Sequence, residues 1–258
     1  MKNIHPTAIV NPDAKVGDNL IVGPYAIIEA DVEIGDDSSI GPNAVIYSGA
    51  RLGSRVKIFQ GASVSNLPQD LKFSGEPTQF YIGDDTVIRE FATLHRGTKE
   101  TGKSQIGKNC LVMAYAHIPH DCVIGDNCIL ANAVQIAGHT HFGNWVIIGG
   151  GTVIHQFCLV GDHAMIGGGL RIIQDVPPFV LIAGEPVTYA GLNVVGLRRR
   201  GFKAEDIQII KEAYGLIYSK SYNVSQAVKI VEEKFSDNIY VKEILKFLSQ
   251  SKRGLVGK

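Results

Sequence analysis

The sequence has no uninterrupted apolar run near the roughly 18 residues that a membrane-crossing helix needs, and its first residues, MKNIHPTAIVNP, lack the apolar stretch of a signal peptide. No membrane span is expected, and a cytoplasmic location is. The four cysteines include no CxxC pair, so neither a dithiol redox motif nor a zinc clip is suggested. Net charge is lacking as well. With 25 Lys and Arg against 25 Asp and Glu, the chain has no overall basic excess to suit nucleic acid, and none is expected as a partner. Neither ordinary period of secondary structure, near 3.6 or 2 residues, accounts for the first two-thirds of the chain.

What is there instead is a period of six. In SSIGPNAVIYSGARLGSRVKIF, residues 38 to 59, an aliphatic side chain recurs at Ile40, Ile46, Leu52 and Ile58. Of the 29 positions in this phase from 4 to 172, only Asp70, Glu76 and Glu100 break it. Two residues earlier the side chain is usually small, as at Ala26, Ser38, Ala44, Cys110, Ala116 and Cys128. One large and one small inward residue per hexad describes short strands joined by tight turns, stacked around a narrow core. Steps such as VGDN and IGPN mark the turns, where Gly and Asn tolerate left-handed backbone. Three faces of six make a coil of roughly 18 residues, so the repeat predicts about ten coils of parallel β-helix over residues 1–185. All four cysteines take the small inward position, where a thiol packs as a compact hydrophobe.

Two insertions interrupt the phase, near 65–80 (SNLPQDLKFSGEPTQF) and 97–105 (GTKETGKSQ), and their polar composition predicts loops leaving the prism. Near 176 the prolines of DVPPFVLIAGEP are expected to end the ladder. Beyond them Ile207, Ile210, Tyr214 and Ile217 show helical spacing, which predicts an α-helical C-terminal domain over 186–258. Residues 197–258 hold 13 Lys and Arg against 7 Asp and Glu, so this end is basic. His117, His120, His139, His141, His155 and His163 crowd into one third of the chain, all outside the inward phase. His120 and His139 are about one coil apart, which places them on neighbouring rungs. Clustered imidazoles suit a general base or a metal site.

The hexapeptide repeat resembles that of the left-handed β-helix acyltransferases. The stretches AHIPHDCVIGDNCILAN, VIHQFCLVG, QDVPPFV, GLNVVGLRRRGF and SKRGL are similar to the UDP-N-acetylglucosamine O-acyltransferases of lipid A biosynthesis, over essentially the whole chain. The left hand of the coil is implied by this resemblance; ordinary crossover rules favour the opposite.

The resemblance implies transfer of an (R)-3-hydroxyacyl chain from acyl carrier protein to the glucosamine 3-OH of UDP-N-acetylglucosamine, in a homotrimer whose sites lie between subunits. It implies His120 as general base, Asp121 as its orienting partner and the Gly138 amide as oxyanion donor. His117 and His139 would contact the sugar, Asp70 and Lys72 the acyl donor and sugar, and His155 and Gln156 the nucleotide-sugar. Asn193, Arg199 and Arg200 would reach the diphosphate, and Gly168 would set acyl chain length. No metal and no cofactor are implied. The basic tail suits an acidic acyl carrier protein. Two other readings are a metal-dependent β-helix hydratase similar to γ-class carbonic anhydrases, with three histidines on the metal, and a non-catalytic structural solenoid. The related N-acyltransferases carry an extra N-terminal domain, whereas hexads begin here at Ile4.

Overall fold

The fold, a computed structural model, is described for residues 2–258. Most strands are only two residues long, such as Ile21–Val22 and Ile27–Ile28, because a hexad leaves room for little else before the next turn. They stack into three sheets of eleven, nine and eight strands. In chain order the first strand belongs to the first sheet, the second to the second and the third to the third, so the sheets are the faces of a triangular prism. Pairing is parallel throughout the repeat. Ile21 lies beside Ser39 and Ile27 beside Val45, so one coil is 18 residues. The insertions lengthen two coils: Lys57 pairs with Val87, and Val87 with Leu111.

From Val22 to Ile172 the large inward apolar residue of every unbroken hexad is buried. Each such side chain contributes about 1.5–3 kcal/mol on burial, so the repeat itself supplies the core. The cysteines fill the small inward position as expected, with Cys122, Cys128 and Cys158 wholly buried. The turn glycines act differently from the expectation. The left-handed residue is the one two places later, for example Asn19, Asp37 and Asn127. Gly35 and Gly83 are instead required by close stacking: a Cβ on either would stand 2.6 Å and 2.5 Å from the backbone of the next rung.

The prolines near 176 do not end the ladder. Val180–Ala183 adds a further parallel strand beside Met165–Ile166, and Thr188–Leu192 folds back antiparallel on it. Helical structure therefore begins at Val194 rather than at 186. Pro177 and Pro178 fall between paired segments, where no ladder amide is required of them. Four helices follow: α1 (Val194–Arg199), α2 (Ala204–Ile217), α3 (Val224–Phe235) and α4 (Ile239–Gln250). Ile207, Ile210, Tyr214 and Ile217 form the buried face of α2, and the Tyr214 hydroxyl donates to the Pro178 carbonyl at 2.7 Å. Asp175 holds the chain's end to the prism. Its Oδ1 accepts from Leu159 N, and its Oδ2 accepts from the Ser251 hydroxyl and the amides of Lys252 and Arg253.

Candidate active site

One edge of the prism, where the second face turns into the third, carries most of the expected site residues. Both insertions leave from this edge, between Ser63–Asn66 and Gln79–Ile82 and between Thr93–His95 and Lys103–Ile106. On the next three rungs the same turn is made by residues 119–121, 137–139 and 155–157. Adjacent rungs are roughly 4.8 Å apart, so side chains 18 or 19 residues apart in sequence touch.

His120 and Asp121 occupy the first of these turns. Asp121 has φ 59°, a conformation that its short polar side chain tolerates, and its carboxylate turns inward with no exposed surface. Oδ2 lies 2.8 Å from His120 Nδ1 and accepts from the Thr98 hydroxyl; Oδ1 accepts from Thr98 N and from the Thr101 hydroxyl. Burial pushes this carboxyl up, but the bonds from Thr101, His120 and Thr98 outweigh it and leave the pKa below its ordinary value. Asp121 is thus an ionised, acceptor-only group. Nδ1–H of His120 is then the donor to this carboxylate.

One rung above, Gly138 lies against the His120 ring. A Cβ there would stand 2.7 Å from Cε1 and 2.9 Å from Nε2, so a larger residue fits only by displacing the imidazole. Among the described residues, no acceptor is bonded to the Gly138 N–H. His139 meets His120 edge-on, with ring centroids 5.2 Å apart, and stacks on Phe157 at 4.7 Å. Its Nε2 is 3.7 Å from Asp121 Oδ2 and 3.6 Å from Glu100 Oε2. His117 points outward from the second face one strand earlier. Its Nδ1 is 2.7 Å from the Thr93 hydroxyl, and its ring meets that of buried His95 edge-on at 5.0 Å. Burial, then His95 and His120, push the His117 pKa down to about 4, so the ring is neutral at neutral pH. His155 and Gln156 are exposed on the rung above Gly138.

The other expected residues lie outside this cluster. Asp70 and Lys72 sit in the first loop, where Asp70 Oδ1 accepts from Lys72 N and shapes the turn. Asn193 is buried: its Oδ1 caps α1 at Gly196 N, and its Nδ2 donates to His163 O. Arg200 lies over Trp145 at 5.1 Å, and its Nη1 is 3.3 Å from His163 Nδ1. Trp145 and His163 belong to the edge between the third and first faces. Arg199 beside them is exposed. Gly168 lies on the remaining edge, and a Cβ on it would approach Gly150 O to 3.1 Å. A single chain therefore unites His120, Asp121, Gly138 and His139, flanked by His117, His155 and Gln156. Asn193, Arg199, Arg200 and Gly168 are on other edges.

His120, Asp121 and His139 offer ligand-type atoms within 4.8 Å of one another, a spacing that one cation could bridge. The Asp121 oxygens are already filled by four donors. Among the described residues, no three histidines converge as a hydratase-type metal centre requires.

Residues 103–138 match the bacterial transferase hexapeptide family (six repeats), and residues 175–256 match the second domain of UDP-N-acetylglucosamine O-acyltransferase. The acyl-[acyl-carrier-protein]–UDP-N-acetylglucosamine O-acyltransferase of Chlorobaculum parvum is 54% identical over 255 residues, which cover 98% of this chain and 97% of that one. The chain belongs to the UDP-N-acetylglucosamine O-acyltransferase family. Solved structures agree. The acyltransferase of Bacteroides fragilis superposes with a TM-score of 0.96 at 41% identity, covering 98% of this chain and 99% of that one. That of Acinetobacter baumannii gives 0.95 at 40%, with the same coverage. The fold is their left-handed parallel β-helix with a helical C-terminal region.

Within this acyltransferase, several residues around the cluster escape a reading by motif. Thr98 and Thr101 hold Asp121, His95 backs His117, Phe157 carries His139, and Glu100 reaches His139. The signal for four of them is the second insertion, which leaves this edge one coil before HIPHDC: His95, Thr98, Glu100 and Thr101 lie in it or at its root.

Proposed function

We propose that the chain transfers an (R)-3-hydroxyacyl group from acyl carrier protein to the 3-OH of UDP-N-acetylglucosamine, the first step of lipid A biosynthesis, with His120 as general base. The observation that carries the mechanism is the His120–Asp121 pair set against the Gly138 amide. Nε2 of His120 takes the proton of the sugar hydroxyl as its oxygen attacks the thioester carbonyl. The resulting oxyanion is met by the Gly138 N–H. Asp121 accepts from Nδ1–H and stabilises the imidazolium. When the tetrahedral intermediate collapses, the carbon–sulfur bond breaks and the imidazolium returns its proton to the departing thiolate. The ester and the free thiol of the carrier's prosthetic arm are the products.

His117 and His139 are assigned to the sugar, Asp70 and Lys72 to donor and sugar, His155 and Gln156 to the nucleotide-sugar, Asn193, Arg199 and Arg200 to the diphosphate, and Gly168 to the end of the acyl groove. Because these groups stand on three different edges, joint action on one substrate requires a second copy, and a homotrimer is the assembly assigned. An apolar stripe on the outer surface of the first face supports it: Val87, Leu111, Ile129, Ile147, Met165 and Leu181 are only half-buried within one chain. The basic C-terminal end steers the acidic carrier protein. No helix among the described residues is long and apolar enough to cross a membrane. A cytoplasmic location accords with a carrier-protein donor.

The test is mass spectrometry of the product formed by the purified chain from 3-hydroxyacyl carrier protein and UDP-N-acetylglucosamine. The 3-O-acyl ester is expected. Intact substrates after prolonged incubation with folded protein defeat the reading.

A further inference from the structure

All three positions that break the hexad phase are carboxylates, and two of them have a structural use. Asp70 shapes the first loop by accepting from Lys72 N. Glu76 ties the two loops together: Oε1 accepts from Lys99 N, and Oε2 accepts from Ser74 N. Glu100 has no such structural use. Its side chain is 70% exposed, and Oε2 stands 3.6 Å from Nε2 of His139. An exposed contact of this kind adds little to folding.

The backbone that presents Glu100 is nonetheless clamped on both sides. Thr98 and Thr101 bind the buried Asp121, the Thr98 hydroxyl accepts from Glu100 N, and Lys99 N is held by Glu76. Phe157 covers one face of His139, and His120 meets its ring edge-on. The exposed carboxylate thus stands at the open side of the catalytic pair, on a rigid mount. A carboxylate offers two acceptor oxygens and no donor, which suits a hydroxyl-rich ligand.

We infer that Glu100 is a binding residue for the sugar ring of the acceptor, taking hydrogen bonds from hydroxyls of the hexosamine beside His139. The inference rests on the proposed acyltransferase reading of this site. In the free protein Glu100 leans on His139; when the sugar enters, its hydroxyls replace the imidazole as the partner of Oε2. The carboxylate therefore discriminates a sugar-bearing nucleotide from the bare nucleotide.

Titration calorimetry with UDP and with UDP-N-acetylglucosamine tests this on wild type, Glu100→Ala and Glu100→Gln. A hydrogen bond to a charged group corresponds to about a tenfold change in affinity. Glu100→Ala is expected to bind UDP-N-acetylglucosamine about tenfold more weakly than wild type and to bind UDP equally well. Glu100→Gln keeps one acceptor oxygen and should fall between them. KM for the acyl donor should be unchanged. Equal affinity of wild type and both variants for UDP-N-acetylglucosamine overturns the inference, and so does a parallel loss for UDP. Should the alanine variant melt early, the glutamine variant, nearly the same in shape, decides alone. Failure of the parent reading looks different: the wild type then transfers no acyl group, whatever the variants bind.

Discussion

A Cβ placed on Gly138 would lie 2.7 Å from Cε1 of His120, so this glycine is the surface on which the imidazole rests. Gly138→Ala is expected to keep the fold, since the coil on either side is fixed by its own core, yet to tilt the ring away from its attack geometry. Displacements of about 1 Å typically cost on the order of 10²-fold in rate. Turnover by the folded variant within twofold of wild type would show that His120 tolerates a different pose.

Removal of the proposed base should be more costly. His120→Ala leaves the core untouched, because the ring is outside the inward phase, and general-base loss costs roughly 10² to 10⁴ in rate. Sedimentation should still show the wild-type assembly. A folded His120→Ala protein with normal turnover removes this histidine from the mechanism.

Asp121→Asn separates orientation from charge. The amide cannot accept from Thr98, Thr101 and His120 together, so one or more donors lose their partner, at a cost of about 1–3 kcal/mol. The Asp121 carboxyl titrates below its ordinary 3.8 in the folded state, so its stabilisation is present above that value and is lost as pH falls through the lower folded pKa. Melting temperature against pH should therefore drop less steeply at the acid end for the asparagine variant, and kcat should fall with it. Parallel melting curves for the two proteins below pH 4 would contradict this.

His163 supplies a second pH signature. Burial, then the Arg200 charge, push its pKa down to about 4 from an ordinary 6.5. Between these values the unfolded chain binds more protons, so stability is full above 6.5 and declines as pH falls towards 4. His163→Phe should remove this part of the slope. Phenylalanine is a fair replacement because Phe157 and Phe179 hold the same left-handed backbone, at φ 63° and 67° against 60° for His163. Identical slopes in wild type and variant would place the acid sensitivity elsewhere.

Chain length is tested at Gly168. Its backbone is not left-handed, and a Cβ would come only to 3.1 Å from Gly150 O, so a side chain is accepted with a small shift. Each methylene displaced from the groove is worth roughly 0.8 kcal/mol. Gly168→Met should therefore move preference towards shorter donors, by the several methylenes that a Met side chain displaces. Competition between carrier-bound acyl chains of graded length measures it; an unchanged profile makes Gly168 a turn residue only.

The prism was readable because each hexad carries its own instruction: Ile40 or Ile118 is buried for a reason contained in the six residues around it. His120 and His139 were readable for the same reason, one uninterrupted coil apart. Thr98, Glu100 and Thr101 were not, since the insertion shifts them out of phase with Asp121 and only the folded loop restores the contact. Asp175 presents the opposite case. QDVPPFV and SKRGL are distant in sequence, and nothing local says that this aspartate binds the Ser251–Arg253 backbone. The prolines of DVPPFV do not end the ladder, because proline forbids a ladder amide only at its own position, and the chain resumes pairing at Val180.

The two ends of the stack differ in how firmly they are closed. Ile4 of the first hexad is 39% exposed, whereas Ile172 and Val176 at the far end are wholly covered. In a solenoid each coil is stabilised only by its immediate neighbours, so opening propagates from the weaker end one coil at a time. Amide exchange should accordingly slow along the prism axis from the first coil inward. The turn at His120, with several coils on each side, is insulated from that fraying: the chain can lose order at its open end without moving the imidazole.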